Sequence, residues 1–163
     1  MVISAGVITV SDKGSRGERE DKSGLEVIRL LKSIHVNILY TKIIPDEKDV
    51  IKTSIIECVE QKKLDLIVTT GGTGVSPRDV TPDATLEVIE KEVIGMAEAM
   101  RRESSIITPH AMISRAVVGI RGSSLIINLP GSPAGARQNL SVILPALTHA
   151  IEKIKGNDAE CAS

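Results

Sequence analysis

Phenylalanine and tryptophan are missing from this chain, and Tyr40 is its one tyrosine. A planar ligand therefore has almost nothing aromatic to stack on and must be held by aliphatic side chains, backbone and arginine. The same absence, with a formal net charge of −1, disfavours nucleic acid as a partner, because its readers combine stacking platforms with basic grooves. Cysteine is scarce too. Cys58 and Cys161 show no CxxC or Cys/His spacing, and Cys58 falls on the apolar side of a predicted helix, where a thiol is buried and inert. No apolar run approaches the roughly 20 residues that span a bilayer, so no membrane partner is expected. The opening MVISAGVITVSD has no basic segment or cleavage-like site and reads as a first strand, with a reducing cytoplasm as the default location.

What the chain does have is aliphatic. A composition led by Ile, Val and Leu suits a buried parallel sheet. At 163 residues and 17.4 kDa the chain reads as one domain over residues 1–155 with a polar tail at 156–163. Strands are expected at 2–10, 36–44 and 64–69, alternating with helices at 24–34 and 48–63. Leu86, Ile89, Val93, Met96, Ala97 and Met100 mark a long third helix. The runs 114–120 and 124–129 form an antiparallel hairpin around Arg121, Gly122 and Ser123. A last helix spans 133–155, with Pro145 expected to kink or split it. This alternation predicts an α/β fold with a mainly parallel sheet and helices on both sides. Ligands in such folds sit beyond the carboxyl ends of the strands, and that rule gathers the unusual loops at 11–23, 45–47, 71–81 and 130–132 on one rim.

The run LDLIVTTGGTGVSPRDVTPDAT at 64–85 carries the strongest signal. A buried strand emptying into Gly71, Gly72 and Gly74 brings bare backbone N–H groups up to a phosphate. The alternative is a tight strand-to-helix turn and nothing more. Asp79 and Asp83 suit a divalent cation that accompanies the phosphate. Each acid also has a plain reading. Asp46 caps the second helix, Asp79 makes a solvated pair with Arg78, and Asp83 lies in the first turn behind Thr81 as N-cap and Pro82 at N1. Three acids beside a glycine loop on one rim fit Mg²⁺. The PGSP stretch adds a second glycine loop, with Ser132 as N-cap and Pro133 at N1, whose N–H groups suit another phosphate or the edge of a nucleobase. Two such loops imply one ligand with several phosphates, or two phosphorylated ligands side by side. Ser11 and Asp12 end the first strand, and Ser114 and Arg115 precede a later one, where the arginine suits an acid or a phosphate. His35, His110 and His149 show no metal spacing, and no Ser/His/Asp mechanism is supported.

TTGGTG at 69–74, PRDVTPDAT at 77–85, IPDE at 44–47 and LPGSP at 129–133 together resemble the MogA/MoaB family of molybdenum-cofactor biosynthesis. The opening TVSDKGSRGEREDKSG, the GMAEAMR segment and SRAVVGIRG extend the resemblance from about Ile3 to Ile154. It implies a three-layer α/β/α sandwich that assembles as a homotrimer and binds molybdopterin, a pterin with a dithiolene and a terminal phosphate. Catalytic members transfer AMP from MgATP to that phosphate, releasing pyrophosphate and supplying the molybdenum-inserting enzyme of the pathway. Asp46 and Asp83 match positions carried by active members, which implies that they are catalytic and hold the metal. Substrate contacts then fall to Ser11 and Asp12, to Thr70, Gly71, Gly72, Thr73 and Gly74, to Ser76 and Asp79, to Ser114 and Arg115, and to Pro130, Gly131 and Ser132. The acceptor phosphate is ionised near neutral pH, so the reaction needs no general base; positioning and charge neutralisation suffice. One rival is a MoaB-like molybdopterin-binding or scaffold module without turnover. Another is a nucleotide-pyrophosphate hydrolase of the CinA type, against which the TPDAT run argues.

Overall fold

Every residue of β3 (Leu66–Thr70) and β6 (Ser124–Leu129) is buried, and β1 (Ser4–Val10) is nearly so. Strands without polar alternation must be covered on both faces, and they form the middle of the sheet. β2 (Asn37–Ile44) is exposed or half-buried up to Ile43, with only Ile44 buried, and takes the edge beside β1. The hairpin expected near Gly122 joins β5 (Val118–Arg121) to β6, and Gly122 adopts φ +56° at the first turn position, as a two-residue connection requires. The strand order is β2-β1-β3-β6-β5-β4, with β1, β2, β3 and β6 parallel and the short β4 (Lys91–Glu92) antiparallel to β5. This computed structural model describes residues 1–157. Cys161 and most of the expected tail lie outside the described residues.

After the single turn of α1 (Asp12–Ser15), helices cover both faces. α2 (Lys22–Ser33), α5 (Ile94–Ile107) and α6 (Pro133–Ile154) pack Val27, Leu31, Met100, Leu140 and Leu147 against Val7, Leu66, Val68 and Ile127. α3 (Lys48–Ile56), continued by a π-helical turn at Glu57–Gln61, joins α4 (Thr81–Val88) on the opposite face. There Ile51, Ile55 and Val88 meet Ile8, Ile67 and Ile126. Truncating a buried isoleucine such as Ile67 to alanine should cost about 2–5 kcal/mol. Cys58 is buried in this second layer, and burial pushes its thiol up to about 11, as an inert thiol requires.

Three expectations are corrected. The long third helix is two helices with β4 between them. Ala84, Val88 and Ile89 serve one face of the sheet, whereas Val93, Met96, Ala97 and Met100 serve the other. One straight helix cannot reach both, so the chain turns at Ile89 and crosses the sheet edge through β4. Pro145 does not split α6; it lies on the exposed face, where water reaches the carbonyl that a proline leaves unpaired. The strand expected from Ser114 begins only at Val118. A 3₁₀ turn (Pro109–Ile113) precedes it, and the backbone between is held by other partners. Arg115 N–H donates to Thr73 O, and Arg101 donates to the Ala116 carbonyl.

Candidate active site

The sheet changes direction of winding between β1 and β3, since β1 leads outward to β2 while β3 leads the other way. Open α/β sheets bind ligands at such a point. Here the chain ends of β1 and β3 are pressed together. A Cβ on Gly71 would stand 2.2 Å from the Val10 carbonyl oxygen, and Gly71 itself has φ +104°. Gly131 of the second glycine loop touches Gly71 in turn, at 3.2 Å from its would-be Cβ to the Gly71 Cα. Both glycine loops, Ser11 and Asp12, and Asp46 thus share the rim that the sequence predicts.

Two of the expected phosphate contacts have other duties. Gly71 N–H continues the sheet ladder to Leu129 O (3.0 Å), and the Thr70 hydroxyl donates to Pro130 O (2.7 Å). These bonds fasten the two loops to each other. Gly72, with φ +66°, then turns the chain so that the N–H groups of Gly72, Thr73 and Gly74 meet no acceptor among the described residues. Successive bare N–H groups in such a turn form an anion-binding concavity. Ser76 and Asp79 close the loop: Ser76 N–H donates to Asp79 Oδ2 (3.0 Å) and Asp79 N–H to Ser76 O (2.9 Å).

Asp46 does not cap α3, whose N-cap is Glu47. It forms a reciprocal pair with Asp12 instead: Asp12 N–H donates to Asp46 Oδ2 (2.8 Å) and Asp46 N–H to Asp12 Oδ1 (3.0 Å). Burial pushes the Asp46 carboxyl above the ordinary aspartate range. The Asp12 N–H opposes this, while the charges of Asp12 and Asp79 add to it. Arg78, expected beside Asp79, reaches across to Asp12 with two bonds of 2.9 and 3.1 Å and to Glu47 at 2.9 Å. Its guanidinium holds the Asp12 carboxyl below the ordinary range.

Asp83 is differently placed. Arg115 grips both its oxygens at 3.1 Å and holds its carboxyl below the ordinary range. The same guanidinium donates to Gly74 O (2.8 Å) and Asp79 O (2.5 Å). Arg115 therefore staples the whole glycine loop to the start of α4. Ser114 stands next to it, its hydroxyl accepting from Ala116 N–H. Ser132 caps α6 as expected, accepting from Gly135 N–H at 3.0 Å.

Thr81 is the residue that the sequence reading misplaced. It is the first residue of α4, behind Val80 as N-cap, and its buried hydroxyl has no hydrogen-bond partner among the described residues. The point where Gly72 lacks a Cβ lies 2.4 Å from Thr81 Oγ1 and 3.1 Å from Asp46 Oδ1. The carbonyl of Thr81 accepts from Thr85, whose hydroxyl also receives Asn128 Nδ2 (2.9 Å). Asn128 is a buried asparagine following the aliphatic run Leu125–Ile127, which is the one sequence signal that marks this network.

Residues 6–149 match the family described as probable molybdopterin binding domain. The chain belongs to this family. It is 43% identical over 157 residues to the molybdopterin adenylyltransferase of Helicobacter pylori 26695, covering 95% of this chain and 89% of that one. The Escherichia coli K12 molybdopterin adenylyltransferase is 40% identical over 143 residues, 86% of this chain and 73% of the other. Among solved structures, the molybdopterin biosynthesis enzyme MoaB of Thermus thermophilus superposes with a TM-score of 0.91 at 45% identity. That match covers 95% of this chain and 98% of that one. The three-layer α/β/α architecture expected from the motifs is the one these relatives share.

In this family member, oxygen donors without full partnership border the loop: Asp46 and Thr81 at Gly72, and Asp79 within 2.8 Å of a would-be Cβ on Gly74. Hard cations take oxygen ligands, so the donor set fits Mg²⁺. No group of three or more acidic, histidine or cysteine side chains that could hold a metal by itself occurs among the described residues. No helix among the described residues is long and apolar enough to cross a membrane.

Proposed function

We propose that this chain is a molybdopterin adenylyltransferase, a nucleotidyltransferase of molybdenum-cofactor biosynthesis that joins AMP from ATP to the terminal phosphate of molybdopterin. The observation that carries the reading is the bare N–H run of Gly72, Thr73 and Gly74 beside Asp46. An oxygen of the acceptor phosphate attacks the α-phosphorus of ATP, the bond to the bridging oxygen breaks, and pyrophosphate leaves with that electron pair. The loop N–H groups hold phosphate oxygens, and the Gly131 loop stands against them to receive the second phosphorylated substrate. Arg115 keeps the loop in shape, Asp12 fixes Asp46, and Ser11 caps the turn that carries Asp12. Asp46 and Asp79, with Thr81, would hold Mg²⁺, which supplies charge neutralisation of the polyphosphate. Asp83, the other acid that the family resemblance assigns, acts through Arg115, because its carboxylate is already taken.

The working unit is residues 1–155, assembled as a homotrimer in the cytoplasm and passing its product to the molybdenum-inserting enzyme. Exposed Ile106, Ile107, Met112 and Ile113 on α5 and the turn after it support assembly, since monomers rarely leave such apolar groups together in water. The names of the relatives favour an enzyme over a scaffold without turnover. Pyrophosphate release from MgATP tests this directly. It should require molybdopterin, and a scaffold would bind molybdopterin while releasing none.

A further inference from the structure

Arg16–Glu18, Arg29–Glu26 and Arg102–Glu103 pair neighbours in sequence, as solvated arginines commonly do with little effect. Arg78 is also exposed, at 55%, yet its guanidinium spans three loops. It leaves the glycine loop after β3, donates from Nε and Nη2 to the two oxygens of Asp12 after β1, and donates from Nη2 to Glu47 after β2. Because the sheet runs β2-β1-β3, this reach crosses the end of the strand in between. Asp12 is the centre of the span. Its Oδ1 accepts from Arg78 at 2.9 Å and from Asp46 N–H at 3.0 Å, while its own N–H donates to Asp46 Oδ2 at 2.8 Å. A chain of bonds thus runs from the glycine loop through Arg78 and Asp12 to the Asp46 carboxylate. Strand pairing locks β1 to β2 as far as Val10 and Ile44, and β1 to β3 as far as Thr9 and Thr70. Beyond those residues the loops are placed by the bonds that their own groups make. Towards α4, Arg115 grips the glycine loop at the Gly74 and Asp79 carbonyls. Towards Asp46, the grip is that of Arg78. We infer that Arg78 is a positioning residue of the reaction, which acts through Asp12 to set the Asp46 carboxylate against the N–H groups of Gly72, Thr73 and Gly74. The inference rests on the functional reading above, because that reading puts Asp46 and these N–H groups on the same reacting phosphates. The fork matters more than the charge, since two bonds to one carboxylate fix its plane and an ammonium acts only as a point charge.

Steady-state adenylylation by Arg78→Lys and Arg78→Gln, with calorimetric titration of each by molybdopterin, tests this. Misplacing a reacting group by about 1 Å can cost about 100-fold in rate, so kcat should fall about 10- to 100-fold in both variants. Molybdopterin affinity should stay within about twofold of wild type, because Arg115 still holds the loop and only the reacting geometry is lost. The melting midpoint should drop by no more than about 2–4 °C, as for any exposed pair. Arg78→Gln added to Asp12→Asn should be no slower than Asp12→Asn alone, since links of one chain do not add. Wild-type kcat in Arg78→Gln, recovery of kcat by lysine, or losses that multiply in the double variant would each overturn the inference alone. A fall in kcat matched by weaker molybdopterin binding would overturn it as well, because Arg78 would then be touching substrate. A wild-type protein that releases no pyrophosphate from MgATP in the presence of molybdopterin would overturn the functional reading, and the inference with it.

Discussion

Adding one methyl group at Gly72 should damage both the fold and the site, and the structure sets how much. With φ at +66°, an alanine there stands in the left-handed region, which costs about 1–2 kcal/mol. Its Cβ would also meet Thr81 Oγ1 at 2.4 Å and Asp46 Oδ1 at 3.1 Å. Thr81 cannot swing aside easily. It is β-branched, fully buried, and tied to Gly72 by its N–H to the Gly72 carbonyl at 3.1 Å. Overpacking of this kind costs about 1–3 kcal/mol, so the total should be about 2–5 kcal/mol. Urea unfolding should show the loss as a lower midpoint with an unchanged slope. Binding of the phosphorylated ligand should fall further, because each hydrogen bond to a charged group is worth about 1.5–3 kcal/mol. The double mutant with Thr81→Ala should recover part of the stability and little of the binding. A Gly72→Ala protein as stable as the wild type, with unaltered binding, would show that Gly72 does not hold this conformation and that the loop is only a turn.

Other substitutions separate the roles of the acids. Burial raises the Asp46 carboxyl, so the native state binds that proton more tightly than the unfolded chain. The stabilisation is full below about pH 3.9 and is lost as pH rises through the folded value. Asp46→Asn should therefore melt higher than wild type at pH 7, converge with it in acid, and lose turnover by orders of magnitude. Asp83 behaves oppositely. Arg115 lowers its carboxyl, so its contribution is present above about pH 3.9 and fades as pH falls through the folded value. It is small in either case, since the pair is well exposed. Arg115→Lys should lower kcat with little change in melting, because an ammonium cannot make the fork to Asp83, Gly74 and Asp79 together. Light scattering at micromolar concentration should give three times the chain mass, and a value of 17.4 kDa would refute the trimer.

The alternation of strands and helices was legible because β1, β3 and β6 are largely aliphatic and each is followed by a glycine, proline or hydroxyl-rich loop. The common rim followed from topology alone. The break at Ile89 was not legible, because the apolar spacing of α4 runs on in phase into α5. Periodicity reports that a face is buried, but not which side of the sheet buries it. Within the site, residue types were readable and pairings were not. Arg78 adjoins Asp79 in sequence yet bonds Asp12 and Glu47, and Arg115 meets Asp83 across 32 positions of chain. Thr81 looked like a helix cap because a threonine before proline suits one. Only the fold shows that its hydroxyl is left without a partner among the described residues, beside Asp46.

The central claim is that the loop at Gly72 joins two phosphates. Mass analysis of molybdopterin after incubation with the wild-type protein and MgATP tests it most directly. The account requires a product heavier by one adenylyl group, formed in step with pyrophosphate and absent with Asp46→Asn. Molybdopterin that is bound but recovered unchanged, with no pyrophosphate released, would contradict it.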